Sequence, residues 1–234
     1  MNTSLHSKDN LLKLLTWLSP SFPVGAYSYS HGIEFAVEEK MVNNANTLKN
    51  WVEGILNYGT GQKDGILFSE TWNAINKADK NRLLAIIEVA NAFQATTEMA
   101  VESRAQGAAF LDAISAAWPS EQLTNVSAQL NKNADYIPYP VAVGVVSAIH
   151  FVSLSDALSA YLNAFSMNLV SAGIRLIPLG QTEGLKIIAA LAESIIEVQE
   201  TVLRSSLEDL AATSLLVDWT SACHELQHTR LFRS

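Results

Sequence analysis

The sequence predicts an all-α protein, a single-domain bundle of about eight to ten helices covering residues 1–234. Three observations predict it. Thirty Ala and 29 Leu make up about a quarter of the chain against only 11 Gly and 6 Pro, the composition of helix formers. Apolar residues recur at three- and four-residue spacing, and no useful length of sequence alternates apolar and polar as a strand does. No repeat, low-complexity tract or long linker divides the chain. At 49% hydrophobic and 16% charged residues, a chain of this length buries a large core without disulfide or metal.

The elements follow in order. Leu11, Leu12, Leu14, Leu15 and Leu18 follow Asp9 at helical spacing, and Ser19-Pro20 closes that helix. Pro20 and Pro23 bracket a rigid loop, after which Ser28 or Ser30 caps a helix through Ile33 and Val37. Thr47 caps the next, with Trp51, Ile55 and Tyr58 on one stripe, and Gly59-Thr60-Gly61 ends it. Gln62 to Lys77 and Asn81 to Trp118 read as helices, with a turn at Ala78-Asp79 and a break near Gly107. Pro119 stops that run, Ser120 to Leu130 is a short amphipathic segment, and Pro140 opens a helix to Phe151. Ser155 caps a helix to about Arg175, Pro178 breaks the chain, and Thr182 caps a last long helix through Val198. From about residue 220 the chain reads as a flexible tail.

Two stretches without Asp, Glu, Lys or Arg, Tyr136 to Ser155 and Ala157 to Ile174, approach membrane-spanning length. Pro138, Pro140 and His150 in one, and Ser159, Asn163, Ser166, Asn168 and Ser171 in the other, reject that use. They read instead as the most buried helices of the bundle. The apolar run Leu11 to Leu18 is too short for a secretory signal, follows Asp9 and is interrupted by Lys13. A single cysteine, Cys223, rules out an internal disulfide and fits a reducing, cytoplasmic setting. A net charge of −8 with no basic block argues against nucleic acid and anionic membrane as partners.

His224-Glu225-Leu226-Gln227-His228 matches H-E-x-x-H, which on a helix directs both imidazoles to one side as zinc ligands. Only six residues follow His228, none a His or carboxylate, so the third ligand of a hydrolase has no local source. The competing readings are a polar last helix and a transient metal contact by Cys223, His224 and His228. Gly59 to Gly65 and Gly180 to Lys186 lack the spacing of either phosphate-binding glycine loop. The segment Pro20 to Glu34 is the densest in unusual residues. Pro20, Pro23 and Gly25 shape its backbone, and Tyr27, Tyr29, His31 and Glu34 add donors and acceptors.

The run Leu18-Ser19-Pro20-Ser21-Phe22-Pro23-Val24-Gly25-Ala26-Tyr27-Ser28-Tyr29-Ser30-His31-Gly32-Ile33-Glu34 resembles the signature of the UreF family of urease accessory proteins. Tyr139 to Gly144, Arg175 to Thr182 (with Gly180 and Gln181), and the tail His224-Glu225 with Arg230-Leu231-Phe232-Arg233-Ser234 are similar to further family blocks. His228 departs from the pattern, standing where members commonly carry another residue such as Tyr.

The resemblance implies an all-helical homodimer without catalysis of its own. It implies assembly with a UreD/UreH-type scaffold and a UreG-type GTPase for GTP-dependent nickel insertion into apo-urease. Nickel would be handled by the complex and GTP bound by the partner GTPase, with no cofactor held stably here. Pro20, Pro23, Gly25, Tyr27, Ser28, Tyr29, Ser30, Gly32, Arg175, Gly180, Gln181, His224, Glu225, Arg230, Leu231, Phe232 and Arg233 are then the candidate assembly residues. His31 and Glu34 are candidates for a transient nickel path: three residues apart, they share a face if the helix has begun by Ser30. Arg230 to Ser234 is expected to dock on the scaffold, so that its removal weakens that contact and leaves helix content intact. A zinc hydrolase and a generic helical scaffold without a nickel link are the alternatives.

Overall fold

The computed structural model describes residues 3–211 and 214–234. Twelve α-helical segments and two 3-10 turns, and no strand, occur among the described residues. They are α1 (Thr3–Trp17), α2 (Ile33–Glu38), α3 (Ala45–Tyr58), α4 (Thr60–Asn76), α5 (Lys80–Ala92), α6 (Thr97–Ala117), α7 (Glu121–Asn133), α8 (Tyr139–Ile149), α9 (Leu154–Leu176), α10 (Gln181–Ala190), α11 (Ala192–Val202) and α12 (Leu215–His224). Because α2 is only six residues long, and Leu191 alone separates α10 from α11, the bundle amounts to ten longer rods. The all-α class read from composition is the class observed.

The core is centred on α8, which packs between α4 and α6. Every residue from Pro140 to Ile149 is buried, so the missing charges of this segment do mark the centre of the fold. α9 differs from expectation. It buries one face through Leu158, Tyr161, Leu162, Leu169 and Val170, whereas Asn163 and Ser171 lie at the surface, which explains its interspersed polar residues.

Several boundaries move for identifiable reasons. Asn44, not Thr47, caps α3: its side chain accepts from the Asn46 and Thr47 amides while the Thr47 hydroxyl accepts from the Asn44 amide, a reciprocal capping box. Tyr58 is exposed, and the buried stripe of α3 is Leu48, Val52, Ile55 and Leu56. Ser153 rather than Ser155 caps α9, and Gly180 rather than Thr182 precedes α10. The long run after Asp79 breaks at residues 93–96, where the Thr96 hydroxyl caps α6 by accepting from the Met99 amide. Gly107 is no break but a close approach. A Cβ there would lie 2.0 Å from the Ile137 carbonyl oxygen, so the glycine lets α6 meet the loop that delivers α8.

The segment from about residue 220 is packed in this structure: α12 lies on α2 and α6, and residues 231–234 turn back across α2 with Phe232 and Ser234 buried. The reason lies in three carboxylates, Glu34, Glu98 and Glu102, that bond residues of the last segment.

Among the described residues no helix is long and apolar enough to cross a membrane.

Candidate functional site: a clamped loop and strap beside a cavity

The segment between α1 and α2 is built by local turn chemistry and then fixed from outside. Gly25 adopts φ 73°, and Ala26–Ser28 form a 3-10 turn whose Ser28 hydroxyl donates to the Gly25 carbonyl at 2.8 Å. α9 holds this turn from beneath: Asn168 donates to the Ala26 carbonyl at 2.9 Å and the Arg175 guanidinium to that of Tyr27 at 2.6 Å. His31 and Gly32 both take left-handed backbone, at φ 58° and 79°, and swing the chain into α2. The helix therefore starts at Ile33, and the condition under which His31 and Glu34 would share a helical face is not met. The Ser30 hydroxyl does reach the Glu34 amide at 3.3 Å, from a position before the helix start.

Glu34 proves to be a tail anchor. Its Oε1 accepts from the Leu231 amide at 2.7 Å and its Oε2 from the Phe232 amide at 2.9 Å. The same Oε2 lies 3.2 Å from His224 Nε2, while His224 Nδ1 lies 2.6 Å from Glu98 Oε2. The two carboxylates thus engage the two ring nitrogens of the buried His224. Glu98 Oε1 takes the Arg230 guanidinium at 2.5 Å, and Glu225 accepts from the Glu98 amide at the start of α6, where a negative group suits the helix dipole. The H-E-x-x-H string is thus divided. Its first two residues tie the tail to α2 and α6, α12 ends at His224, and His228 is exposed beyond it.

Residues 230–234 run as a strap alongside Ser28–Ser30. Arg233 N donates to Ser28 O and Ser30 N to Ser234 O, both at 2.8 Å, and the Ser30 hydroxyl also donates to Ser234 O. Phe232 is buried under the Arg175 guanidinium, whose carbon stands 4.3 Å from the ring centroid. Burial pushes Arg175 down and Tyr29 up from their ordinary values, the latter reinforced by Glu102 and opposed by Arg233. Leu231 and Tyr27 project outward, 63% and 69% exposed.

The loop between α1 and α2 lines a cavity of about 500 Å³. Its polar wall includes His31, Thr60, Lys63, Asp64, Glu102 and Tyr161. His31 Nε2 pairs with the Thr60 hydroxyl at 2.8 Å, and His31 Nδ1 stands 3.7 Å from Glu102 Oε2. Gln106 and Ser234 donate to the two Glu102 oxygens at 3.1 and 2.8 Å. Tyr161 donates to Asp64 at 2.9 Å, and the Lys63 ammonium reaches Gln94 at 3.3 Å and Asp64 at 3.8 Å. Burial raises Asp64 despite Lys63, and drives Tyr161 well above its ordinary value, helped by Asp64. A second cavity of about 250 Å³ shares Thr60, Lys63, Gln94 and Met99 with the first and reaches Asp218, whose carboxyl is raised by burial.

Sequence-selected residues from Pro20 to Gly32, with Glu34, Arg175, His224, Glu225 and Arg230 to Arg233, converge on this region. Gln181 lines the outer mouth of the cavity, whereas Gly180 serves as the cap position of α10. Sequence reading missed Glu98, Glu102, Thr60, Lys63, Asp64 and Asn168. Two of these carried a signal: Glu98 and Glu102 are one helical turn apart.

Comparison with known proteins agrees with the motif reading. The UreF family model matches residues 42–192. The chain is 42% identical to the urease accessory protein UreF of Rhodopseudomonas palustris strain BisB5, over 99% of this chain and 94% of that one. It is 43% identical to the protein of the same name from strain BisB18 across the whole of both chains. It is also 42% identical to that of Granulibacter bethesdensis, over 99% of this chain and 97% of the relative. With its signature loop and terminal block clamped together in one surface, the chain belongs to the UreF family of urease accessory proteins.

Proposed function

We propose that this chain is a non-catalytic assembly protein of urease maturation. It binds a UreD/UreH-type scaffold and a UreG-type GTPase, acts as a homodimer in the cytoplasm, and supports GTP-dependent nickel insertion into apo-urease. GTP is bound by the partner GTPase, and nickel is cargo of the complex, with no cofactor held stably by this chain. The observation that carries the reading is the clamp. Asn168 and Arg175 hold the loop, Glu34 holds strap 230–234, and backbone bonds join the two into one face that presents Tyr27 and Leu231 with Arg175, Arg230 and Arg233 around them. Immobilised aromatic and aliphatic groups among arginines are the composition of an interaction hot spot. Exposed Leu185 on α10 adds apolar surface that suits a second copy. The names of the relatives support the urease link.

The zinc-hydrolase alternative needs both histidines on one helix, and α12 ends at the first of them with both ring nitrogens engaged by Glu34 and Glu98.

Co-expression of the tagged chain with the scaffold and GTPase, followed by measurement of complex stoichiometry and urease nickel content, tests the proposal. A ternary complex that is lost in Tyr27→Asp with Leu231→Asp supports it. Failure of the unaltered chain to co-purify with either partner overturns it, and an undiminished complex in the double variant removes this surface from assembly.

A further inference from the structure

We propose that His31 Nδ1 and Glu102 Oε2 form a transient two-ligand station for a first-row divalent cation of the nickel, cobalt and zinc class. The inference rests on the nickel-cargo reading for its physiological ion, but its geometry stands on the residues alone.

His31 is 4% exposed, yet its Nδ1 makes no hydrogen bond among the described residues. With the ring proton on Nε2, the Nδ1 lone pair faces a carboxylate oxygen 3.7 Å away, two acceptors with no donor between them. A cation bonded at about 2.1 Å to each atom bridges that span.

The surroundings are those of a supported ligand pair. The other ring nitrogen of His31 is held by the Thr60 hydroxyl at 2.8 Å, the outer contact that fixes orientation in histidine metal sites. Glu102 is fixed through both oxygens by Gln106 and Ser234, each of which leaves lone pairs free on a carboxylate. His31 also holds its left-handed φ of 58° in a buried turn, a conformation that persists only where the surroundings impose it. Both side chains line the 500 Å³ cavity, so water completes the coordination.

The donor set selects the ion and its residence. One imidazole and one carboxylate favour borderline transition metals over calcium and magnesium. Among the described residues no group of three or more His, Cys, Asp and Glu is placed to hold a metal, so the station binds with two protein ligands and releases readily. Asp64, with the Lys63 ammonium 3.8 Å from it, lines the same cavity, and Asp218 lies in the adjoining one.

The experiment uses the full chain carrying His228→Ala, which removes the exposed imidazole, and titrates Co²⁺ and then Ni²⁺ alone. Paramagnetic broadening of histidine ring resonances reports the site, cobalt absorption bands report affinity, and circular dichroism and melting report the fold. The expected result is one weak equivalent that broadens His31 first, abolished by His31→Asn, which tolerates left-handed backbone. Glu102→Gln should weaken binding by at least tenfold. Thr60→Val, which touches no ligand atom, should weaken it about 10- to 100-fold with an unchanged melt, and serves if Glu102→Gln unfolds. Broadening confined to other histidines, or equal affinity in Thr60→Val, overturns the station. If binding fails while the chain still co-purifies with the scaffold and GTPase and loads urease, the inference falls and the assembly reading stands.

Discussion

Glu34 and Phe232, 198 positions apart in sequence, are joined by a 2.9 Å hydrogen bond in which the Phe232 amide donates to the Glu34 carboxylate. The neighbouring Leu231 amide donates to the other oxygen, so one side chain on a six-residue helix grips two successive peptide groups of the strap. Bonds to a charged acceptor contribute about 1.5–3 kcal/mol each, which makes Glu34 a substantial hold on residues 230–234 beside Glu98, Glu102 and the Ser28–Ser30 backbone.

Replacing Glu34 by Ala should therefore release the strap. Trypsin cleavage at Arg230 and Arg233 is expected to accelerate at least tenfold in Glu34→Ala, and Glu34→Gln, which keeps one acceptor, should fall between the two. Equal digestion rates in all three proteins would show that the strap is held by other contacts.

Deleting residues 230–234 should lower the melting temperature rather than leave the fold untouched. Phe232 leaves a buried position under Arg175, and Glu34, Glu98 and Glu102 lose donors, a combined cost of about 3 kcal/mol or more. An unchanged melt would return the tail to the free segment that sequence reading expected.

Gly107→Ala should destabilise through backbone collision. The added methyl lands 2.0 Å from the Ile137 carbonyl oxygen, so α6 and the loop before α8 must separate, at about 1–3 kcal/mol or more. Ala is the better helix former, and a stabilised Gly107→Ala protein would show that the close approach does not exist.

Asp218 gives a pH-dependent expectation whose sign follows from burial. Its carboxyl is raised in the folded state, chiefly by desolvation, with Lys63 and His31 pulling it back. The native protein thus keeps this proton where the unfolded chain has released it. That contribution is fully present below the unfolded value and is lost as pH rises through the native one. Asp218→Asn, which cannot ionise, should melt higher than the parent at neutral pH, with the gap closing as pH is lowered into the ordinary carboxylate range. A gap independent of pH would sink the assignment.

The fold was largely legible because composition and periodicity act over whole helices. The uncharged and almost wholly apolar stretch that became α8 identified the centre of the bundle, whereas the uncharged but Asn- and Ser-bearing stretch of α9 buries one face only. Boundaries were less legible because capping depends on which of several adjacent polar residues reaches the amides. Asn44 and Thr47 both qualify by type, and only their reciprocal geometry assigns the roles. The loop Pro20 to Glu34 stood out by its residues, but its partners did not. Glu102 meets His31 only because α6 passes under the turn, and Lys63-Asp64 look like ordinary helical polar residues until α4 is seen buried along most of its length. The H-E-x-x-H string was already short of a third ligand in the sequence, and the structure adds that α12 ends at His224, whose ring is engaged by Glu34 and Glu98.

The clamp also imposes an order on biosynthesis. Chains emerge from the ribosome N-terminus first, so the strap that bonds Glu34, Glu98 and Glu102 is made after all twelve helices. While α1 to α11 are already available to pack, three carboxylates destined for low exposure still face water, and the α6 N-terminus lacks its Glu225 acceptor. The loop between α1 and α2 can therefore reach its final shape only after residues 230–234 have been made, and a nascent chain stalled before residue 224 presents this surface unlatched.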